Sequence, residues 1–120
     1  MCTPYRSYMP NTKTCRDLKS KLALLHSLGI THNDIKEDNI MLSPSKGQLV
    51  FIDFNCSSIV SEKPGFKTLT TFKGTPDICS EEMFRLFNQN YYGHVDLFYN
   101  DAYTLQKLID SQQVLEPKQF

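Results

Sequence analysis

Apolar residues recur at every third or fourth position over residues 14–28, where Leu18, Leu22, Leu25 and Leu28 form one stripe joined by Ala23 and Leu24. That spacing predicts a packed helix, and Gly29 stands where a left-handed C-terminal cap is expected. Two short apolar runs follow, over residues 39–42 and 48–54, with Ser43-Pro44-Ser45-Lys46-Gly47 between them. They predict a small β-hairpin closed by a turn. Residues 55–76 are rich in Ser, Thr, Lys and Gly and read as a loop, a length that is usually functional or disordered. A helix is predicted over residues 80–87, with Ser80 as its cap and acids in its first turn. A further helix runs from Asp101 to about residue 112, with Ala102, Leu105, Leu108 and Ile109 on one side. The first twelve residues, with Pro4 and Pro10, read as a loose entry segment.

Composition narrows the class. With 40% hydrophobic and 22% charged residues over 120 positions, the chain suits one small globular domain. Thirteen basic and thirteen acidic residues cancel, so nothing global points to nucleic acid or a membrane surface. Residues 1–30 carry more bases and residues 77–120 more acids, which reads as solvated helix faces. Cys2, Cys15, Cys56 and Cys79 are scattered without metal-ligand spacing, as expected of reduced thiols inside a cell. There is no signal-peptide pattern at the start and no apolar run of membrane-spanning length. An intracellular, cytoplasmic protein is expected.

Between Ile30 and Phe54 five polar residues stand apart: His32, Asp34, Lys36, Asn39 and Asp53. Their order suits phosphoryl transfer, which works by positioning and electrostatics. An Asp at a loop start can accept the proton of an attacking hydroxyl. A Lys two residues on can neutralise charge on the moving phosphoryl group. An Asn at the first strand's edge and a second Asp after the paired strand can coordinate magnesium. The hairpin would bring Asn39 and Asp53 together, because they flank its open end.

At this point the sequence resembles the protein kinase family. His32-Asn33-Asp34-Ile35-Lys36-Glu37-Asp38-Asn39-Ile40 is similar to the catalytic loop H-R-D-L-K-x-x-N, and Phe51-Ile52-Asp53-Phe54-Asn55 to the strand ending in D-F-G. Gly74-Thr75-Pro76 with Ser80-Glu81-Glu82 resembles the G-T-P…A-P-E end of the activation segment. Asp101-Ala102-Tyr103-Thr104-Leu105 resembles D-x-W-S-L-G, and Leu25-His26-Ser27-Leu28-Gly29-Ile30 the approach L-H-x-x-G-I. These signatures fall in the family's order over about residues 14–112.

The resemblance implies an α+β, mainly helical fragment of the large C-terminal lobe, with a short β-hairpin carrying the catalytic loop and magnesium segment. Its parts would be a loose segment 1–13, a partial kinase domain 14–113 and a tail 114–120. Within the domain, the catalytic loop is 32–39, the D-F-G-like segment 53–55, the activation segment 53–82, and the supporting helix begins at 101. The implied activity is ATP-dependent phosphoryl transfer to a Ser or Thr hydroxyl of a protein substrate, with ATP and Mg2+ as cofactors. Asp34 would be the base, Lys36 the phosphoryl-stabilising cation, Asn39 and Asp53 the magnesium ligands, and Thr75 a hydrogen-bonding partner of Asp34 and Lys36. His32 would be structural, Asp101 would hold the backbone around His32, and Glu82 would tie the activation segment to the lobe.

Several positions depart from the family pattern. Asn33 replaces the Arg before the base, so no cation there can pair with a phosphorylated activation segment. Thr68, Thr70 and Thr71 read as exposed loop threonines, and Ser57, Ser58 and Ser61 as loop polarity. Asn55 replaces the Gly of D-F-G, a mild change because Asn tolerates left-handed backbone. Phe84, Phe87, Tyr91, Tyr92, Phe98 and Tyr99 read as packing groups, and no transition-metal site is expected. The 120 residues contain no G-x-G-x-x-G loop and no V-A-I-K lysine. The expectation is therefore a truncated catalytic domain without its small lobe, which a further segment or partner chain would supply. The chain alone is expected to be inactive and marginally stable, with apolar surface exposed. Glu82, without its usual Arg, is expected to stay solvated. The competing expectations are a pseudokinase-like binding module, a remnant without activity, and a small-molecule phosphotransferase of the choline-kinase or aminoglycoside-phosphotransferase type.

Overall fold

The computed structural model describes residues 3–4, 12–43 and 48–115. The predicted turn at 44–47, and most of the predicted entry segment 1–13 and tail 114–120, lie outside them.

Helix α1 (Thr12–Ser27) matches the apolar stripe. Leu18 and Leu22 are buried along it, while Leu24 and Leu28 point outward at 62% and 64% exposure. The helix ends because Gly29 adopts φ +76°, with its N–H on the His26 carbonyl at 2.9 Å. Any other residue there would be strained, and a Cβ would also press to 3.0 Å from the Val60 carbonyl.

Strand β1 (Thr3–Pro4) lines one edge of a three-stranded antiparallel sheet with β3 (Ile40–Ser43) and β4 (Gln48–Phe51). The β3–β4 register runs from Ile40 opposite Phe51 to Ser43 opposite Gln48. The second strand therefore stops at Phe51, short of the predicted Phe54. Strand β2 (Ile30–Thr31) pairs with β5 (Ser58–Ile59), placing the residues just after α1 beside those just after the Asp53 turn.

The predicted long loop over 55–76 needs correction. It holds β5 and also β6 (Thr68–Thr71), which pairs with β7 (Tyr92–Val95) over four residues. Threonine is β-branched and fits a pleated strand, so its polarity alone misled the sequence-based expectation. Thr70 is buried rather than exposed, and Thr68 donates to Glu62 at 3.1 Å.

Helix α2 (Glu81–Asn88) starts at Ser80, whose hydroxyl accepts the Met83 N–H at 3.3 Å, a cap worth about 1 kcal/mol. Helix α3 (Leu97–Leu115) begins four residues earlier than predicted. The cause is Asp96, whose carboxylate takes the Tyr99 N–H at 3.1 Å and whose carbonyl takes the Asn100 N–H at 3.0 Å. Asp101 consequently lies in the second turn of a helix already under way.

Two apolar cores result. One joins Cys15, Leu18 and Leu22 of α1 to Ile35, Ile40, Leu49, Leu105 and Ile109. The other joins Val60, Phe72 and Cys79 to Met83, Leu86, Val95, Leu97 and Phe98. Each fully buried side chain of this kind is worth about 1.5–3 kcal/mol relative to exposure. Helix α3 contributes to both cores, with Asp101 and Thr104 between its two apolar stretches. That boundary is a buried polar strip that includes Thr31, His32, Asn33, Asn100 and Asp101.

Of the aromatic residues expected to pack, only Phe98 is buried. Phe84, Phe87, Tyr91, Tyr92 and Tyr99 remain well exposed, with Phe87 and Tyr91 resting against Phe72 at 5.1 and 5.5 Å. Among the described residues no helix is long and apolar enough to cross a membrane.

Candidate active site

The polar strip begins with His32, which is wholly buried. Its Nε2 lies 2.8 Å from the Ile52 carbonyl, and its Nδ1 accepts the Asp34 N–H at 3.1 Å. A carbonyl can only accept, so the ring proton belongs on Nε2. His32 thereby ties the start of the loop to the end of β4.

Asp101, also wholly buried, holds the same loop from the other side. Its Oδ2 accepts the His32 N–H at 2.8 Å and its Oδ1 the Asn33 N–H at 2.8 Å. His26 of α1 completes the cluster, with Nε2 at 3.0 Å from Asp101 Oδ2 and its ring edge-on to Phe98 at 4.9 Å. The sequence reading assigned His26 no such contact. The available signal was its place four residues after Leu22, a polar group at the edge of an apolar stripe.

With the loop backbone held, Asp34 Oδ1 accepts the Thr75 hydroxyl at 2.9 Å. Lys36 Nζ donates to Thr75 Oγ1 at 3.2 Å and lies 3.8 Å from Asp34 Oδ2. Asn39 is buried, and its Nδ2 donates to the Asp34 carbonyl at 2.8 Å and to Asp34 Oδ2 at 3.4 Å. Asp34, Lys36, Asn39 and Thr75 thus form one network, and Asp34 keeps partial access to solvent.

Gly74 makes the Thr75 contact feasible. At φ +94°, a Cβ there would sit 2.2 Å from the Asn33 carbonyl and 3.6 Å from Asp34 Oδ1. Only a residue without a side chain lets the two segments approach so closely.

Asp53 is placed differently. The Ile52 N–H donates to the Asn39 carbonyl at 2.9 Å, so the backbone next to Asp53 meets the backbone of Asn39. The Asp53 side chain itself is exposed, and its Oδ1 takes the Asn55 N–H at 3.3 Å. Among the described residues it has no hydrogen bond to the Asp34 network. The left-handed residue in this turn is Asp53, at φ +58°, and not Asn55. Asp is among the residues that adopt that region most readily. Phe54 lies over the His32 ring at 4.8 Å.

The donor set fits a hard cation. Asn39 has its nitrogen committed to Asp34, which leaves its oxygen as the end available to a metal. Asp53 offers an exposed carboxylate. Magnesium is commonly held by one or two such groups together with substrate phosphates and water. No group of three or more His, Cys, Asp or Glu poised for a metal occurs among the described residues.

Glu82 lies outside this network and is not solvated and unpaired as expected. It forms an ion pair with Lys67, and its Oε1 accepts the Asp96 N–H at 3.1 Å. Burial alone would raise its pKa, but the hydrogen bonds from Lys67 and Asp96, with the nearby positive charges, hold the carboxyl below its usual range. Burial pushes the Cys79 thiol up.

Asn33 also has partners that the sequence did not announce. Its Nδ2 donates to the Cys56 carbonyl at 2.8 Å and to Ser58 Oγ at 2.9 Å, so Ser58 is more than loop polarity.

Comparison with known proteins identifies the family. The protein kinase domain profile matches residues 10–115. The chain belongs to the protein kinase family. Serine/threonine kinases are among its relatives: over 80 residues it is 39% identical to the serine/threonine-protein kinase Sgk1 of Rattus norvegicus, covering 67% of this chain and 17% of that protein. The same identity and coverage hold for Sgk1-A of Xenopus laevis. Serine/threonine-protein kinase PKH3 of Eremothecium gossypii is 35% identical over 72 residues, covering 57% of this chain and 10% of that protein. The chain thus matches only about a tenth to a fifth of the length of these relatives.

Proposed function

We propose that this chain provides the catalytic-loop and metal-binding half of a serine/threonine protein kinase. The observation that carries the reading is the contact of Thr75 with both Lys36 and the Asp34 carboxylate, made across some forty residues of sequence. In this role Asp34 accepts the proton of a substrate Ser or Thr hydroxyl as its oxygen forms a bond to the terminal phosphorus of ATP and ADP leaves. Lys36 offsets the negative charge on the moving phosphoryl group, and Thr75 keeps Asp34 and Lys36 in register. Magnesium, held through Asn39 and Asp53, would supply charge neutralisation at the phosphates.

The functional unit is then residues 14–113, with residues 53–82 as its activation segment. The grip on the remaining phosphates comes from residues outside these 120, in another segment or a partner chain, because no G-x-G-x-x-G loop lies within them. Use of ATP and a protein substrate suits an intracellular setting. The Lys36–Thr75 contact favours this reading over a small-molecule phosphotransferase.

The test is thermal unfolding with and without excess Mg-ATP, alongside Asp53→Asn. Ligand at about 100 times its dissociation constant stabilises a fold by about 2.7 kcal/mol. The expected result is an upward shift that disappears in Asp53→Asn. An equal shift in the variant contradicts the metal assignment, and no shift at all means that the chain binds no Mg-ATP without the segment or partner that grips the phosphates.

A further inference from the structure

Asn33 stands where three segments meet. Its N–H is held by Asp101 Oδ1 at 2.8 Å. Its carbonyl is the atom against which Gly74 packs. Its side-chain amide reaches the turn after Asp53, donating to the Cys56 carbonyl at 2.8 Å and to Ser58 Oγ at 2.9 Å. The orientation follows from chemistry, since the Cys56 carbonyl is an acceptor and the amide must present its nitrogen. The residue is 3% exposed and adopts φ +72°. Its Oδ1 is buried without a hydrogen-bond partner among the described residues, so the donor end is what the fold uses.

We propose that Asn33 is a positioning residue whose neutral amide clamps the 53–58 turn to the loop that carries Asp34. Its service to catalysis rests on the reading of Asp34 and Asp53 given above; the clamp itself does not. Being uncharged and buried, the clamp is insensitive to salt, unlike an exposed ion pair. It registers the two halves of the site from inside the chain.

The test is amide hydrogen exchange on the whole chain, comparing wild type with Asn33→Gly and Asn33→Asp. Glycine keeps the left-handed backbone and the N–H to Asp101 but removes the clamp. The Ser57 N–H, bonded to the Phe54 carbonyl at 3.0 Å, should exchange at least about tenfold faster. The Phe84 and Asn100 amides, bonded at the starts of α2 and α3, should stay within about twofold.

In Asn33→Asp at pH 7 a carboxylate faces the Cys56 carbonyl, and the same loss is expected. Burial and the nearby Asp34 and Asp101 raise the pKa of the introduced carboxyl, so near pH 4 it is protonated and donates an O–H in place of the amide. Ser57 protection, relative to wild type at the same pH, should then return to within about threefold. The titratable groups around the position, His32, Asp34, Cys56 and Asp101, are common to both proteins, so wild type at each pH is the control. A group that merely filled space would show no such recovery.

Ser57 exchange within twofold of wild type in Asn33→Gly overturns the proposal. So does a deficit in Asn33→Asp that is equal at both pH values, or an equal loss at Phe84 and Asn100. Because exchange is read without ATP or substrate, a chain that lacks kinase activity leaves the clamp standing, and a failed clamp leaves the kinase reading untouched.

Discussion

The loop around Asp34 and the turn around Asp53 lie side by side and are built in opposite ways. Asp34 sits on a backbone pinned by Asp101 and His32, and its carboxylate has Thr75, Lys36 and Asn39 as neighbours. Asp53 is exposed, left-handed at φ +58°, and hydrogen-bonded only to its near neighbour Asn55 among the described residues. The difference teaches where this chain has invested its buried polar groups. The loop that would take a proton is assembled by the chain's own residues, while the Asp53 carboxylate stays exposed.

The largest expected effect comes from breaking the pinned side. Asp101→Ala removes the acceptor of two buried backbone N–H groups and of His26, and should cost about 3–5 kcal/mol. Denaturant unfolding measures it, and a loss below about 1 kcal/mol would mean that the loop is held by something else. Next is Gly74→Ala. Its Cβ would meet the Asn33 carbonyl at 2.2 Å, so the Thr75–Asp34 contact must open or the fold lose about 2–4 kcal/mol. Loss of the Thr75 hydroxyl proton's slow solvent exchange in NMR would report the opening, and retention with unchanged stability would refute it.

The smallest effect is at Glu82. Its folded pKa lies below its ordinary value of about 4.5, so the stability it adds is present above that value and is lost as pH falls through the lower folded one. Glu82→Gln should cost about 1–2 kcal/mol at pH 7, discounted for partial exposure, and progressively less as pH falls below about 4.5. Unfolding midpoints across pH 3–7 check this, and a deficit that does not shrink with acid would contradict it.

Much of the site was legible because each catalytic-loop residue is a chemically distinctive side chain at short spacing. His32, Asp34, Lys36, Asn39 and Asp53 stood out by type and spacing and Thr75 by the family resemblance, while α1 and α3 were read from apolar periodicity and α2 from its Ser80 cap. What escaped the sequence depends on long-range pairing. The β6–β7 ladder joins residues over twenty apart, and its first strand is made largely of threonines that read as loop. Lys67 beside Glu82 and His26 beside Asp101 likewise come from segments that the chain must fold to bring together. The start of α3 was missed because Asp96, not Asp101, supplies the cap. Asn33 was read as the absence of an arginine, and only the fold revealed what its amide does.

On the proposed function, the Asp34 side is already assembled and the exposed Asp53 side would become ordered only when Mg-ATP binds. The most direct measurement is residue-resolved amide hydrogen exchange of the whole chain with and without saturating Mg-ATP. Asn55 and Ser57 should gain at least about tenfold protection while His32, Asn33 and Asp34 change by less than about twofold. Equal gains on both sides, or none at Asn55 and Ser57, would contradict it.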